Sequence, residues 1–395
     1  MTREPDLDSV LDHEHAVKTR YAAAAERPEP ALCCPTTYDP KFLRLLPEEI
    51  VAKDYGCGDP SQFVNVGETV VDLGSGAGKI CYILSQKVGP TGRVIGVDMN
   101  DDMLGLARKY QKEMAARIGH GNVEFKKARI QDMALDLEHL AAWLVEHPVR
   151  DLAGMEALEQ RRDWMRNHAA AVPDGTADVV VSNCVLNLVR PSDKVDLFAD
   201  MYRVLKRGGR VVISDIVCDE EPSAATRNDP DLWSGCIAGA YQETEFLRAF
   251  ERAGFYGIEI VERAATPWQV VDGVEFRSLT VRAFRGKDGP CLERNQAVVY
   301  QGPFRKVEDD DGHTYRRGER MAVCDKTFQI LTSPRGPYAE QFVPLPPHVE
   351  VPLAEAGPFG CQGMAIRDPR VTKGKDYRVT TLAGGDAACT DSKCC

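Results

Sequence analysis

Thr69-Val-Val-Asp72-Leu-Gly74-Ser75-Gly76-Ala-Gly78-Lys79 is the run on which the fold turns. Thr69 to Leu73 reads as a short apolar strand. Gly74, Gly76 and Gly78 let the backbone turn tightly and approach a ligand that side chains would exclude. Lys79 to about Val88 reads as a helix, whose first amides lack intrahelical partners and offer hydrogen bonds to a ligand. Strand, glycine turn and helix together predict a loop for a nucleotide-type cofactor.

The alternation continues on the C-terminal side. Gly92 to Asp98, Asn122 to Lys127, Ala177 to Ser182 and Arg210 to Asp215 read as strands. Asp101 to Ile118 and Lys194 to Leu205 read as helices, the second closed by Arg207-Gly-Gly209. This order predicts an α/β, doubly wound, mainly parallel sheet. Tyr256 to Glu262 and Phe276 to Phe284 look like the last strands, the second of them antiparallel at the end of the sheet. Ala134 to Val172 is a helical, charged insertion, and Cys218 to Ala240 is a second one; such excursions are usually lids or binding walls.

On the N-terminal side, residues 1–65 form a helical and loop segment. His13 to Ala25 reads as one helix, broken by Pro28 and Pro30, and Asp39 to Lys53 as another. The cofactor domain spans 66–286. Beyond it the chain becomes proline-rich and acidic with short strands, so 287–395 reads as a separate small β-rich domain with a loose, cysteine-rich tail.

With 395 residues, 43% of them hydrophobic, the chain has material for two or three units. A net charge of −11 argues against nucleic acid or an anionic membrane as partner. No run approaches the roughly 18 apolar residues of a membrane helix, and the polar start is no secretory signal, so a cytoplasmic location is expected. Thirteen cysteines in such a chain read as reduced thiols rather than a disulfide framework.

Asp98, 20 residues past Gly78, sits where an acid accepts both ribose hydroxyls. A dinucleotide site or an uncommitted tight turn would share part of this pattern. S-adenosylmethionine is favoured because Asp72 offers a carboxylate to an electropositive end where a pyrophosphate would be repelled. The every-second glycine spacing and Leu205-Lys-Arg-Gly-Gly-Arg-Val-Val agree. Ile130 is expected to cover the adenine, with Gln131 or Asp132 accepting from its amino group, though Asp132 also reads as a solvated loop acid. Ser75, Met99 and Asn183 are assigned to the same cofactor wall.

The cysteine contexts then become recognisable. Asp72-Leu-Gly-Ser-Gly with Cys81-Tyr-Ile-Leu-Ser-Gln, Val181-Ser-Asn-Cys184-Val-Leu-Asn-Leu-Val, Arg203-Val-Leu-Lys-Arg-Gly-Gly and Leu232-Trp-Ser-Gly-Cys236-Ile-Ala-Gly-Ala together resemble the arsenite S-adenosylmethionine methyltransferases. The resemblance covers about 30–286. It implies a Rossmann-like class I methyltransferase sheet with inserted substrate-binding elements near 218–240. It further implies that Cys184 and Cys236 hold trivalent arsenic. Cys34 and Cys57 would complete the first binding site and supply disulfide chemistry, with Cys33 as the alternative to Cys34. Arsenite and methylarsenite are the implied substrates. A thiol reductant such as thioredoxin or glutathione is the implied recycling partner. Tyr55 is expected near the metalloid.

Elementary chemistry supports the assignment, because trivalent arsenic is soft and prefers thiolates. Its lone pair is itself the nucleophile, so no general base is needed. Two other readings stay open: a methyltransferase for an organic molecule with structural cysteines, and a thiol protein that only sequesters metalloid. Cys81 reads as a packed core thiol, and Cys291, Cys324 and Cys361 default to packing. Zinc ligation lacks paired C-x-x-C spacing.

Overall fold

In the computed structural model, which describes residues 7–26, 38–53, 55–361 and 365–380, the alternating runs become β1 (Thr69–Leu73), β2 (Arg93–Asp98), β3 (Val123–Lys127), β4 (Ala177–Asn183), β5 (Leu205–Cys218), β6 (Tyr256–Arg263) and β7 (Val274–Phe284). They order as 3-2-1-4-5-7-6 across one sheet, with two short strands attached. β1 to β5 are mutually parallel. Val70, Val71 and Leu73 are fully buried, since helices cover both faces of β1. The register sets Leu73 beside Ser182 and Asn183 beside Ser214, so the carboxyl ends of β1, β4 and β5 share one edge. Ligands bind at that edge in open α/β sheets.

β7 is antiparallel as expected, but it lies inside the sheet, between β5 and β6. The reason is apolar content: Phe276, Leu279, Val281, Ala283 and Phe284 are buried, whereas β6 carries an exposed Ile260 and suits an edge. β5 is also longer than the expected Arg210 to Asp215, because it pairs with β7 as far as Cys218.

Three helix expectations change. The N-terminal helix α1 runs Leu7–Glu26. Asp39 to Lys53 divides into Pro40–Leu43 and Glu48–Val51, because Pro47 has no amide hydrogen to continue a helix and caps the second one. Asp101 to Ile118 divides at Tyr110. The 134–172 insertion is helical, as Leu137–Glu146 and Leu152–His168, capped by Asp136 and Asp151 around Leu140 and Met165. The other insertion forms two short helices, Ala224–Arg227 and Pro230–Ser234. Arg20 of α1 donates to Ser234 Oγ (3.0 Å) and the Asp231 carbonyl (3.1 Å), bringing α1 onto this insertion.

The chain divides into two compact units, Met1–Asp288 and Gly289–Cys395. In the second, Ala297–Tyr300 pairs antiparallel with Arg320–Ala322 and Phe342–Leu345. Helix Asp325–Thr332 supplies Phe328 and Leu331 to a core with Val298, Tyr300, Tyr315 and Phe342. No described helix is long and apolar enough to cross a membrane.

Candidate active site

The turn after β1 takes the conformation its glycines allow. Gly74, Gly76 and Gly78 all have positive φ, at 65°, 50° and 85°. A Cβ on Gly74 would lie 2.5 Å from Val185 Cγ1, and one on Gly78 2.9 Å from Phe125 Cζ. Glycine is therefore required twice over, for conformation and for space. Asp98 accepts from the Gly76 amide (2.8 Å) and the Asn100 amide (2.8 Å), which ties the turn to the end of β2.

A pocket opens at this turn, and Gly74, Gly76, Asp98, Met99, Ile130 and Gln131 line it as expected from sequence. Its other wall was not legible there: Val17 and Tyr21 come from α1, and Val185 and Leu188 from the turn after β4. Asp72 lies buried behind, where it accepts from the Cys81 thiol at 3.1 Å. Burial pushes the Asp72 carboxyl up to about 7; the thiol hydrogen bond opposes this and the nearby Asp98 charge adds to it. Cys81 is thus a core thiol with a partner. Ser75 Oγ is buried with no hydrogen-bond partner among the described residues. Asp132 is not a free loop acid, because Arg166 of the insertion pairs with it at 2.9 Å. A glycine cradle, an acid at the end of β2 and an apolar wall suit a cationic adenosyl cofactor.

The thiols gather at the same edge. Cys184 follows β4 and Cys236 follows helix Pro230–Ser234; both are buried. Both also have positive φ, rare for residues with a Cβ and typical of sites where geometry serves function. Cys57 is joined to Cys184 as a disulfide, Cα to Cα 5.8 Å, an exception to the expectation of reduced thiols, while six other described cysteines are free. The Cys236 thiol reaches the Cys184 carbonyl at 3.3 Å. Asp215 joins Cys57 and Cys184 in a group whose ligand atoms lie within 4.8 Å of one another. Cys33 and Cys34 lie outside the described residues, as do Cys389, Cys394 and Cys395.

Polar side chains hold this arrangement. Asn183 Oδ1 accepts from the Cys57 amide (2.8 Å) and the Gly58 amide (3.1 Å). Its Nδ2 donates to the Gly58 carbonyl (2.8 Å) and Tyr38 Oη (3.1 Å). Ser278 donates to the Cys57 carbonyl at 2.6 Å. Asn183 therefore secures the thiol loop. Asn187 Nδ2 donates to the carbonyls of Ile216 (2.7 Å) and Cys236 (3.1 Å). Asp215 accepts from the Leu186 amide (2.8 Å) and pins the turn that carries Cys184. Burial raises the Asp215 carboxyl and lowers the Lys194 ammonium, whose Nζ donates to the Gly239 carbonyl at 2.6 Å. The one sequence clue to Asp215 is an acid near the end of an apolar strand, a place that Asp72 and Asp98 also take.

Tyr21 bridges the two halves: it lines the pocket and its hydroxyl stands 3.9 Å from Cys236 Sγ. Burial, with Cys236 beside it, holds the phenol well above its ordinary range. Tyr55 donates to the Ala24 carbonyl (3.0 Å) and packs edge-on against Tyr21, so it supports α1.

Sheet order, glycine turn and pocket define a class I S-adenosylmethionine-dependent methyltransferase. Residues 65–142 and 160–254 match a methyltransferase domain family, and 287–377 match a domain of unknown function. The chain is 31% identical to an arsenite methyltransferase of Aquipseudomonas alcaligenes, over 79% of this chain and 84% of that protein. It is 28% identical to the Homo sapiens arsenite methyltransferase, over 85% and 83%. Among solved structures it resembles an arsenic(III) S-adenosylmethionine methyltransferase from Chlamydomonas reinhardtii, with TM-score 0.52, 25% identity and coverage of 84% and 100%. The chain belongs to the arsenite methyltransferase family.

Proposed function

We propose that this chain transfers methyl groups from S-adenosylmethionine to trivalent arsenic held on Cys57, Cys184 and Cys236. The supporting observation is that the paired Cys57 and Cys184 sulfurs, and the Cys236 thiol 3.3 Å from the Cys184 carbonyl, sit at the sheet edge that also carries the cofactor turn, with Tyr21 lining the pocket and standing beside Cys236.

Gly74, Ser75, Gly76, Asp98, Met99, Ile130 and Gln131 would hold the cofactor, which supplies an electrophilic methyl on a sulfonium centre. The thiolates displace the oxygen ligands of arsenite and keep water away from the metalloid. They leave its lone pair free to form the As–C bond, and no residue needs to remove a proton. Positioning does most of the work, with the reacting atoms held at about 3–3.5 Å. Asn183, Ser278 and Asn187 fix the thiol-bearing loops for that purpose. Forming the As–C bond raises arsenic formally to the pentavalent state. Two thiolates, Cys57 and Cys184, then give up two electrons, close their disulfide and return arsenic to the trivalent state. A dithiol such as thioredoxin, or glutathione, reopens that disulfide by exchange. Arsenite and methylarsenite are successive substrates in this scheme.

The test is arsenic speciation after incubating reduced protein with arsenite, S-adenosylmethionine and a thiol reductant. Mono- and dimethylated arsenic are expected, and Cys184→Ser or Cys236→Ser should remove them. Without reductant, product should stop near one methyl per chain. Absence of methylated arsenic overturns the proposal; full product from the serine variants overturns the thiol roles.

A further inference from the structure

The Gly289–Cys395 unit gathers thiols of its own. Cys291, Cys324 and Cys361 are free cysteines, 33 and 37 residues apart in sequence, yet their sulfurs lie within 4.8 Å of one another. Among the described residues the cluster consists of these three thiols. Three separate elements deliver them. Cys291 precedes the strand Leu292–Glu293, which pairs antiparallel with Gly357–Pro358; the Phe359 amide donates to the Cys291 carbonyl at 2.8 Å. That pairing carries Cys361 back alongside Cys291. Cys324 caps helix Asp325–Thr332, its sulfur accepting from the Thr327 amide at 3.4 Å and lying 3.2 Å from Thr327 Oγ1.

These are not ordinary packed cysteines. A structural cysteine is a small buried hydrophobe, but Cys291 and Cys361 are half-exposed and only Cys324 is fully buried. Their surroundings act on the two half-exposed thiols in opposite directions. Burial raises the Cys291 thiol, but hydrogen bonds from Cys361 and Cys324 and the Lys326 ammonium outweigh it and leave it below the ordinary cysteine range. Cys361, with burial and both neighbouring sulfurs against its ionisation, is pushed up to about 12. The cluster therefore presents three sulfurs close enough to ligate one soft centre, two of them at half-exposed positions.

We propose that Cys291, Cys324 and Cys361 form a binding site for one trivalent arsenic in the C-terminal unit. Three thiols suit a soft centre with three bonds and a lone pair, whereas a structural zinc takes four ligands. Binding balances without redox change: three S–H protons leave with the three hydroxides of arsenite as water, and three As–S bonds replace three As–O bonds. The choice of arsenic rests on the proposed function above; the three-sulfur geometry does not.

The full chain carrying Cys57→Ser, Cys184→Ser and Cys236→Ser separates this site from the methyl-transfer thiols. After anaerobic reduction it is loaded with arsenite, freed of excess and assayed for bound arsenic and for sulfur neighbours by arsenic X-ray absorption. One arsenic per chain with three sulfur neighbours is expected. Adding Cys361→Ser alone, at a half-exposed position, should leave the thermal midpoint unchanged and weaken arsenic binding by at least about tenfold. Absence of bound arsenic, or binding undiminished by Cys361→Ser, overturns the proposal. Stoichiometric zinc that depends on these cysteines and that arsenite does not displace also overturns it. Methylation by the unaltered chain is read separately, so failure of this site and failure of the proposed activity are distinguishable.

Discussion

Cys184 and Cys236 share a backbone conformation as well as a site: φ is 61° at one and 63° at the other, and the thiol of the second meets the carbonyl of the first at 3.3 Å. A side chain in left-handed backbone costs about 1–2 kcal/mol, so both positions hold strain that glycine would relieve. Cys236→Gly should therefore be more stable than Cys236→Ala by about 1 kcal/mol in chemical denaturation, while neither variant methylates arsenic. An alanine variant as stable as the glycine variant would contradict the strain.

Asn183 was assigned to the cofactor wall from sequence, whereas its side chain bonds the Cys57 and Gly58 amides, the Gly58 carbonyl and the Tyr38 hydroxyl. Asn183→Ala should lower kcat by at least about tenfold, the scale of a misplaced reacting group, with little change in KM for S-adenosylmethionine. A large rise in that KM with kcat preserved would return Asn183 to the cofactor site.

The Asp72 carboxyl titrates near 7 in the folded protein without ligand, against an ordinary 3.8. The folded state thus binds the proton more tightly than the unfolded state. Its stabilising effect is complete below about pH 4 and disappears as pH rises through about 7. Asp72→Asn keeps an acceptor for Cys81 and removes the titration. Its advantage over the parent chain should grow from pH 4 to pH 7 and reach at most a few kcal/mol, about the scale such a shift allows. A difference in thermal midpoint that does not vary with pH would refute this.

A Cβ on Gly239 would lie 1.9 Å from the Asn187 carbonyl oxygen, within the contact that sets the Cys236 loop. Gly239→Ala should cost about 1–3 kcal/mol by overpacking and reduce methylation further than the loss of folded protein explains. Gly105 is the control: it sits in helix Asp101–Lys109 with nothing within 4 Å of its Cβ position. Gly105→Ala should stabilise by about 0.5–1 kcal/mol and leave activity intact, as urea denaturation and initial rates will show.

Much of the sheet was legible because each strand is a local apolar run with its own turn. The boundaries of β1 to β4 fall within a residue of the expectation, and six of the ten residues assigned to the cofactor, Gly74, Gly76, Asp98, Met99, Ile130 and Gln131, line the pocket. Pro47 was visible in the sequence, but its power to divide Asp39 to Lys53 was underrated. The place of β7 between β5 and β6 was not legible, because neighbour choice depends on which strand buries more apolar surface. The partnership of Asp132 with Arg166 spans 34 residues and an insertion, beyond what periodicity reports.

The sequence by itself determined the alternating α/β plan, the cofactor turn and the identity of the thiols, since these depend on residue type and short spacing. Tertiary structure alone decided which thiols meet. Cys57 reaches Cys184 across 127 residues because β4 ends beside the loop that Asn183 holds. Cys291, Cys324 and Cys361 converge because one strand pairing and one helix start happen to share a corner. Soft-ligand sites are built from atoms a few ångströms apart, and only the closed chain sets those distances.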